Sequence, residues 1–415
     1  MQSVEQEKTT LHDPDEVLKH SPFHDQLEKH CRLRNWMSWN GYLTARVYDT
    51  LASEYFAIRS SCSVMDLTPM EKYRITGPDA LKFLNRLVVR DVSKLKPLRV
   101  TYVAWCNDEG KILDDGTIFH LEEGEYRLCS QHHQLDWLLM SSLGMDVTIV
   151  EETHDVAALA VQGPTSYSVL CAAGINGLDK LKLFGILHTE LNGFKVMVSR
   201  TGYTGDLGYE LWTEPVNGLA LWDAVFSVKD SGLYDIRAIG LAALEMVRIE
   251  AGFIMPGDDF NTAETAIRTG HDRSPFEIGL GWVINFNKPH FTGKKALQEE
   301  KGRPIKRRLV KLMVEGNKPP VDSFLYDKKK GQRVGTIKSQ MWSPILKANL
   351  TLADIEYHKG KPPAEIWAEI YYQKELEWQV TWARCRISKD PFLSLIHISE
   401  PTRRTPISYA VFCLK

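Results

Sequence analysis

Apolar residues recur along this chain with two periods, and those periods divide it into helices and strands. Over residues 50–60, Leu51, Tyr55 and Ile58 fall on one helical face, and Asp49 stands at the N-cap position. Tyr73-Arg-Ile75 alternates as a half-buried strand does. Ile75-Thr-Gly-Pro-Asp-Ala-Leu-Lys-Phe-Leu84 then reads as a strand that closes on Gly77-Pro78 and opens a helix, with proline where a helix start tolerates it. The same device returns at Ala160-Val-Gln-Gly-Pro-Thr-Ser-Tyr-Ser-Val-Leu170. Two strand, Gly-Pro, helix units predict two related α+β subdomains. Residues 236–251 read as one helix stopped by Gly252. From Arg307 onward the runs 309–314, 332–337, 348–353 and 364–372 alternate between turns, which predicts a small β-barrel.

Candidate chemistry sits on two hairpins and one helix. Thr101-Tyr-Val-Ala-Trp-Cys-Asn-Asp-Glu-Gly-Lys-Ile-Leu-Asp-Asp-Gly-Thr-Ile-Phe-His120 carries a turn signal at 107–110 between alternating runs. Strand geometry puts Asp115 on one face with Leu113, Thr117 and Phe119, and Asp114 on the other with Ile112 and Ile118. One of the two acids must therefore face the more enclosed side, although a paired acid at a hairpin is more often solvated structure. The second hairpin turns at Asn192-Gly193, runs through an apolar strand at 194–198 and enters Ser199-Arg-Thr-Gly-Tyr-Thr-Gly-Asp-Leu-Gly-Tyr-Glu-Leu211. Gly202, Gly205 and Gly208 allow left-handed turns and close approach of the backbone to a ligand or another strand, and 209–212 reads as the strand leading out. On the predicted helix, Arg248 interrupts an apolar face made by Leu241, Leu244 and Ala251. A buried arginine requires a carboxylate partner or an anionic ligand, which makes Arg248 a substrate-contact candidate, the alternative being a structural arginine that snorkels to solvent.

Composition narrows the function classes. The chain has 415 residues and a formal net charge of −2, which disfavours nucleic acid or an anionic membrane as the main partner. Its seven cysteines show no C-x-x-C pair, so no cysteine metal site is expected and a reducing, cytoplasmic location is. No run of apolar residues is long enough for a membrane span, and the charged first fifteen or so residues lack a secretory signal core. Residues 393–403 and 407–414 look like a translated sequencing-library adapter, with 404–406 fitting its barcode. Residues 393–415 are therefore expected to be a scar outside the fold, the alternative being a natural strand pair.

The segment 199–211 resembles the signature of the aminomethyltransferase family, the T-protein of the glycine cleavage system and its relatives, which reads Ser-Arg-Thr-Gly-Tyr-Thr-Gly-x-x-Gly-aromatic-Glu. The hairpin around Asp114-Asp115, Pro275-Phe-Glu-Ile-Gly-Leu-Gly-Trp282 and Phe291-Thr-Gly-Lys-Lys-Ala-Leu297 resemble that family as well. The resemblance spans about residues 40–392. It implies a three-domain cloverleaf around a central folate channel, of α+β class, ending in the β-barrel. The implied divisions are 22–150, 151–296 and 297–392. By position the family's catalytic carboxylate falls on Asp115, and its tetrahydrofolate contacts fall on Tyr102, Tyr203 and Glu210. Trp282 is expected to wall the pteridine pocket, and Arg248 is carried as a substrate candidate; no metal is expected. The implied activity is tetrahydrofolate-dependent transfer of a methyl or aminomethyl-derived carbon from a small donor, with a lipoyl carrier protein as partner if the chain is a true T-protein. A folate-binding scaffold without turnover is the non-enzymatic alternative. Two departures bear on the donor. Leu244 stands where the family has an arginine, and residues 258–273 form a longer, more polar connection than expected, which is read as a substrate-side lid; a third departure, Lys111 for a glycine, is tolerable at a turn edge.

Overall fold

The computed structural model describes residues 17–268 and 270–393. All but the first residue of the expected scar, 393–415, lies outside them.

Two large open sheets, a two-stranded sheet of Asn35–Trp39 with Tyr42–Val47, and one closed barrel surround a central cavity. The first sheet orders its strands Arg99–Cys106, Ile112–Glu122, Glu125–Ser130, Glu71–Thr76 and Thr148–Glu151, all antiparallel. The second orders Ile186–Leu191, Phe194–Ser199, Gly208–Thr213, Ala157–Gln162, Cys62–Asp66 and Ile236–Ala238, with only the last pair parallel. A division at 150 falls inside the edge strand of the first sheet, and Cys62–Asp66 from the earlier stretch completes the second. The two sheets are thus built by interleaved segments of chain.

Both Gly-Pro devices form as expected. The strand Glu71–Thr76 leads through Gly77 into the helix Ala80–Leu87, and Ala157–Gln162 leads through Gly163 into Ser166–Ala172. Gly77 and Gly163 have φ of +113° and +122°. A Cβ there would also stand 2.7 Å from the Asp146 carbonyl oxygen and 2.4 Å from that of Ser61, so both conformation and space require glycine.

The barrel closes through Arg307–Val314, Ala348–Glu356, Arg333–Ser343, Phe324–Tyr326, Ile366–Lys374 and Glu377–Ser388. Along Arg333–Ser343 buried and accessible positions alternate, the period-2 pattern that made these strands legible. Phe324–Tyr326 and Glu377–Ser388 were not expected. The first is only three residues long, and most of the second carries polar or exposed positions that dilute its apolar signal.

Three expectations change. Helix Leu51–Ser60 is capped by Thr50, whose side chain accepts from the Ser53 amide, and Asp49 reaches Arg32 instead. The predicted helix 236–251 begins only at Leu241, because Ile236–Ala238 pairs in parallel with Cys62–Asp66. Gly240 follows that strand where a Cβ would lie 2.3 Å from the Arg46 carbonyl oxygen. Residues 258–273 are not a free lid. Asp259 and Phe260 are buried, and the Ala263 amide donates to the Ile112 carbonyl, although Ile267 at the far end is 99% exposed.

Candidate active site

The central cavity measures about 2490 Å³ and is lined from both sheets, the helix Leu241–Ala251 and the barrel. Small-molecule sites commonly enclose about 300–1,000 Å³, so this space accommodates a large ligand together with a second reactant. Asp115, Tyr102, Tyr203, Glu210 and Trp282 all line it.

Asp115 faces the cavity from the strand Ile112–Glu122, just after a break in strand register. The pairing shifts between Trp105 and Cys106, so that Asp114 faces Trp105 while Ile112 faces Cys106, and Leu113 is the bulged residue. The bulge alters the expected faces: Leu113 packs in the same cluster as Ile118, and Ile112 packs with Ala104 and Cys106. Asp115 and Thr117 keep the cavity side. The Tyr102 hydroxyl donates to Asp115 Oδ2. Asp115 is enclosed by protein except towards the lumen, and burial, followed by the charge of Asp114, raises its pKa to about 7, against the hydrogen bond from Tyr102. Asp114 is fully buried. Its Oδ1 accepts from the Asp115 amide at 2.8 Å and its Oδ2 from the His132 amide at 3.1 Å, with the His132 ring 3.6 Å away.

The aromatic walls are ordered by neighbours. Trp282 is 38% exposed and lies 6.5 Å from Tyr102, centroid to centroid, with planes 22° apart. Arg90 sits over the Trp282 ring at 5.4 Å and donates to the Tyr102 carbonyl at 2.9 Å. Tyr203 stacks on Phe253 at 5.4 Å and donates its hydroxyl to the Ile254 carbonyl.

Glu210 is held by the signature segment itself. Its Oε2 accepts from Thr201 at 2.6 Å and Ser199 at 3.3 Å, while burial raises its pKa against those two bonds. Trp212 Nε1 fixes Ser199 Oγ from behind at 3.1 Å. Of the three signature glycines only Gly205 is left-handed, with φ +72°. Gly202 and Gly208 are required by Gln162, whose Oε1 a Cβ would approach to 2.1 and 2.0 Å. Gln162 Nε2 donates to the Thr201 and Tyr209 carbonyls and its Oε1 accepts from Thr204, so this buried amide organises the loop.

Arg248 does not line the cavity and is 0% exposed. Its guanidinium donates to Glu245 at 2.6 and 2.7 Å, Asp259 at 2.5 Å, Ser339 at 3.1 Å and the Phe253 carbonyl at 3.1 Å. The open alternative resolves towards carboxylate partners, and direct substrate contact is not available to it. Glu245 and Asp258 line the cavity instead, both with pKa raised by burial. Sequence reasoning missed them, together with Arg90, Gln162 and Asp259. Gln162 lies in the second Gly-Pro device, and only its immediate approach to Gly208 would have identified it.

A cavity with an enclosed carboxylate, a tyrosine hydroxyl on it and aromatic walls defines a ligand-binding enzyme of the α+β class. The GCVT N-terminal domain family matches residues 24–288. The aminomethyltransferase of Halothermothrix orenii is 30% identical over 335 residues, 80% of this chain and 90% of that protein. The trimethylamine-oxide aldolase of Ruegeria pomeroyi is 33% identical over 377 residues, 87% of this chain but 46% of that protein. The crystal structure of glycine cleavage system aminomethyltransferase T from Bartonella henselae has the same fold, with a TM-score of 0.78 at 23% identity over 91% of this chain and 98% of that one. The chain belongs to the aminomethyltransferase family and is a one-carbon transferase.

Proposed function

We propose that this enzyme binds tetrahydrofolate in the central cavity and moves a one-carbon unit to it from a small methylated donor. The observation that carries the reading is the convergence of Asp115, Tyr102, Tyr203, Glu210 and Trp282 on one cavity. The residues suit a reduced pterin. Glu210 has Oε2 engaged by Thr201 and Ser199, which leaves Oε1 to accept from the donor-rich edge of such a ring. Trp282 and Tyr102 supply flat apolar walls.

Tetrahydrofolate, when bound, supplies a nucleophilic ring nitrogen to which the one-carbon unit passes. Asp115, with a pKa near neutrality, is suited to hold or move a proton beside that nitrogen, and in its ionised form stabilises positive charge. Tyr102 fixes the carboxylate through its hydroxyl. Asp258 and the Arg248-paired Glu245 line the same lumen and offer local carboxylates to an amine donor, among basic residues that line it elsewhere. Leu244 lines the cavity where the family's arginine would stand, a further feature favouring a small methylated compound. Arg248 acts as a positioning residue that holds Glu245 and Asp259. The six described cysteines are all free, which suits the reducing cytoplasm we assign to the enzyme. No helix among the described residues is long and apolar enough to cross a membrane.

Aminomethyl transfer from a lipoyl carrier protein is the second reading, favoured by the aminomethyltransferase relatives at about the same identity as the aldolase. Incubation with tetrahydrofolate and a panel of methylated amines, with and without a lipoyl carrier, separates the two by following folate products by mass spectrometry. Turnover with a free methylated amine supports the first reading, and turnover only with the carrier supports the second. Stoichiometric folate binding without turnover in any arm would make the protein a binding scaffold.

A further inference from the structure

Away from the cavity, three potential metal ligands converge from three separate segments. Glu71 begins the strand Glu71–Thr76, Glu151 ends the edge strand Thr148–Glu151, and His133 lies in the turn after Glu125–Ser130. One ligand atom from each lies within 4.8 Å of the others. His133 Nε2 is 3.1 Å from Glu151 Oε2. None of the three lines the central cavity.

The charge arrangement sets this cluster apart from an ordinary solvated face. Glu71 is only 6% exposed, yet no lysine or arginine among the described residues pairs with it or with Glu151. The neighbouring cations are turned elsewhere. Lys72 donates to the Thr68 and Met70 carbonyls, Arg74 bonds Glu125 and Glu152, and Arg127 bonds Glu152. A buried carboxylate with Lys72 and His133 nearby but no lysine or arginine in direct contact is costly, and a metal ion removes that cost. Two further contacts prepare the ligands. Thr153 Oγ1 donates to Glu71 Oε2 at 2.9 Å, orienting the carboxylate. The Tyr73 ring stands edge-on to His133 at 6.3 Å.

We propose that Glu71, His133 and Glu151 bind a divalent transition-metal ion of the Zn²⁺ type. One imidazole and two carboxylates form a ligand set that Zn²⁺ accepts, with water completing the tetrahedron, whereas Mg²⁺ and Ca²⁺ select oxygen ligands only. Ligand bonds of about 2.0–2.2 Å draw the three side chains together, and His133, 54% exposed on its side chain, is free to move inwards. The ion ties the edge strand to its neighbour and to the turn that carries His132. The His132 amide holds Asp114, directly behind Asp115, so the metal braces the back of the active site without touching the reactants.

The full-length enzyme, stripped with a chelator and dialysed, is titrated with Zn²⁺ by calorimetry, with Mg²⁺ as the comparator. The expected result is uptake of a single equivalent of Zn²⁺ with a rise in melting temperature, no comparable effect of Mg²⁺, and a loss of affinity of about ten-fold or more in both His133→Ala and Glu151→Gln. Both positions are partly exposed, so these variants should fold, and circular dichroism verifies that they do. Absence of stoichiometric uptake by the parent enzyme, or affinity unchanged in both variants, overturns the proposal.

Discussion

Asp114 and Asp115 are adjacent in sequence and opposite in circumstance. Asp115 opens to the lumen under Tyr102, whereas Asp114 is fully buried and accepts one backbone amide on each oxygen. Asp115→Asn preserves shape while deleting charge and proton acceptor, so turnover should fall about a hundred-fold or more with folate affinity changing much less. Steady-state kinetics and a folate titration check this, and unchanged turnover would remove Asp115 from the chemistry. A stability effect of the same variant has a defined sign. Folding raises the Asp115 pKa above its unfolded value, so the ionised carboxylate destabilises the native state. That penalty is absent below about pH 4, grows through the interval up to about pH 7 and is constant above it. Asp115→Asn should therefore gain melting temperature relative to the parent at about pH 8 but not at about pH 4. An equal difference at both values would show that the carboxylate is not enclosed as described. Asp114→Asn is no silent control: an amide can accept on one side only, which leaves the second buried amide facing an N–H₂ group and should lower stability. Glu210→Gln should weaken tetrahydrofolate binding by about 1–3 kcal/mol, the range for a hydrogen bond to a charged group. Titration calorimetry showing unchanged affinity would take Glu210 out of the folate contacts.

Elements with a repeated period were the legible ones. Both Gly-Pro units, the Asn192-Gly193 hairpin and four barrel strands could be read because apolar positions recur and turn residues punctuate them. The bulge at Leu113 was not legible, since a one-residue register shift leaves no mark on composition, and it reassigned two of the side chains placed around Asp115. The first residues of the expected helix 236–251 were also misread: Ile236–Ala238 is apolar enough for either state, and parallel pairing with the distant, buried strand Cys62–Asp66 decided it. The connection 258–273 looked free because it is polar, yet its Asp259 is the partner that Arg248 needed. Arg248 joins the helix Leu241–Ala251, this connection and Ser339 of the barrel, so its removal leaves Asp259 as a buried unpaired charge. Arg248→Ala should therefore cost about 3–5 kcal/mol in stability, measured by denaturant unfolding. A loss confined to catalysis, with unfolding unchanged, would reverse the assignment and make Arg248 a reactant contact.

At the scale of the whole molecule the sequence resemblance announced three units and a channel, but not the side chains that join them. Glu250 is one such joint. It is fully buried and accepts from Tyr55 at 2.7 Å, Arg59 at 2.8 Å and Ser343 of the barrel at 2.6 Å. Glu71, His133 and Glu151 are another convergence that sequence separation hides. The chain ends its described course at the Glu250 joint: the Leu393 amide donates to the Glu250 carbonyl at 3.0 Å, and Phe392 is buried in the cluster that contains Met341 and Leu350 of the barrel. The last anchor among the described residues therefore lies at 392–393, one residue into the segment that resembles adapter sequence. Two truncations locate the boundary. A chain stopped after Leu393 retains both the Phe392 side chain and the backbone bond to Glu250, and its melting temperature should match that of the full chain. A chain stopped after Asp390 loses the buried phenyl ring and that bond together. Deletion of a buried phenylalanine side chain costs about 3–5 kcal/mol, so this second chain should melt well below the first, in a single transition if the units unfold together through Glu250. Equal destabilisation of both chains would place residues beyond 393 in the fold and refute the reading of 393–415 as a scar outside it.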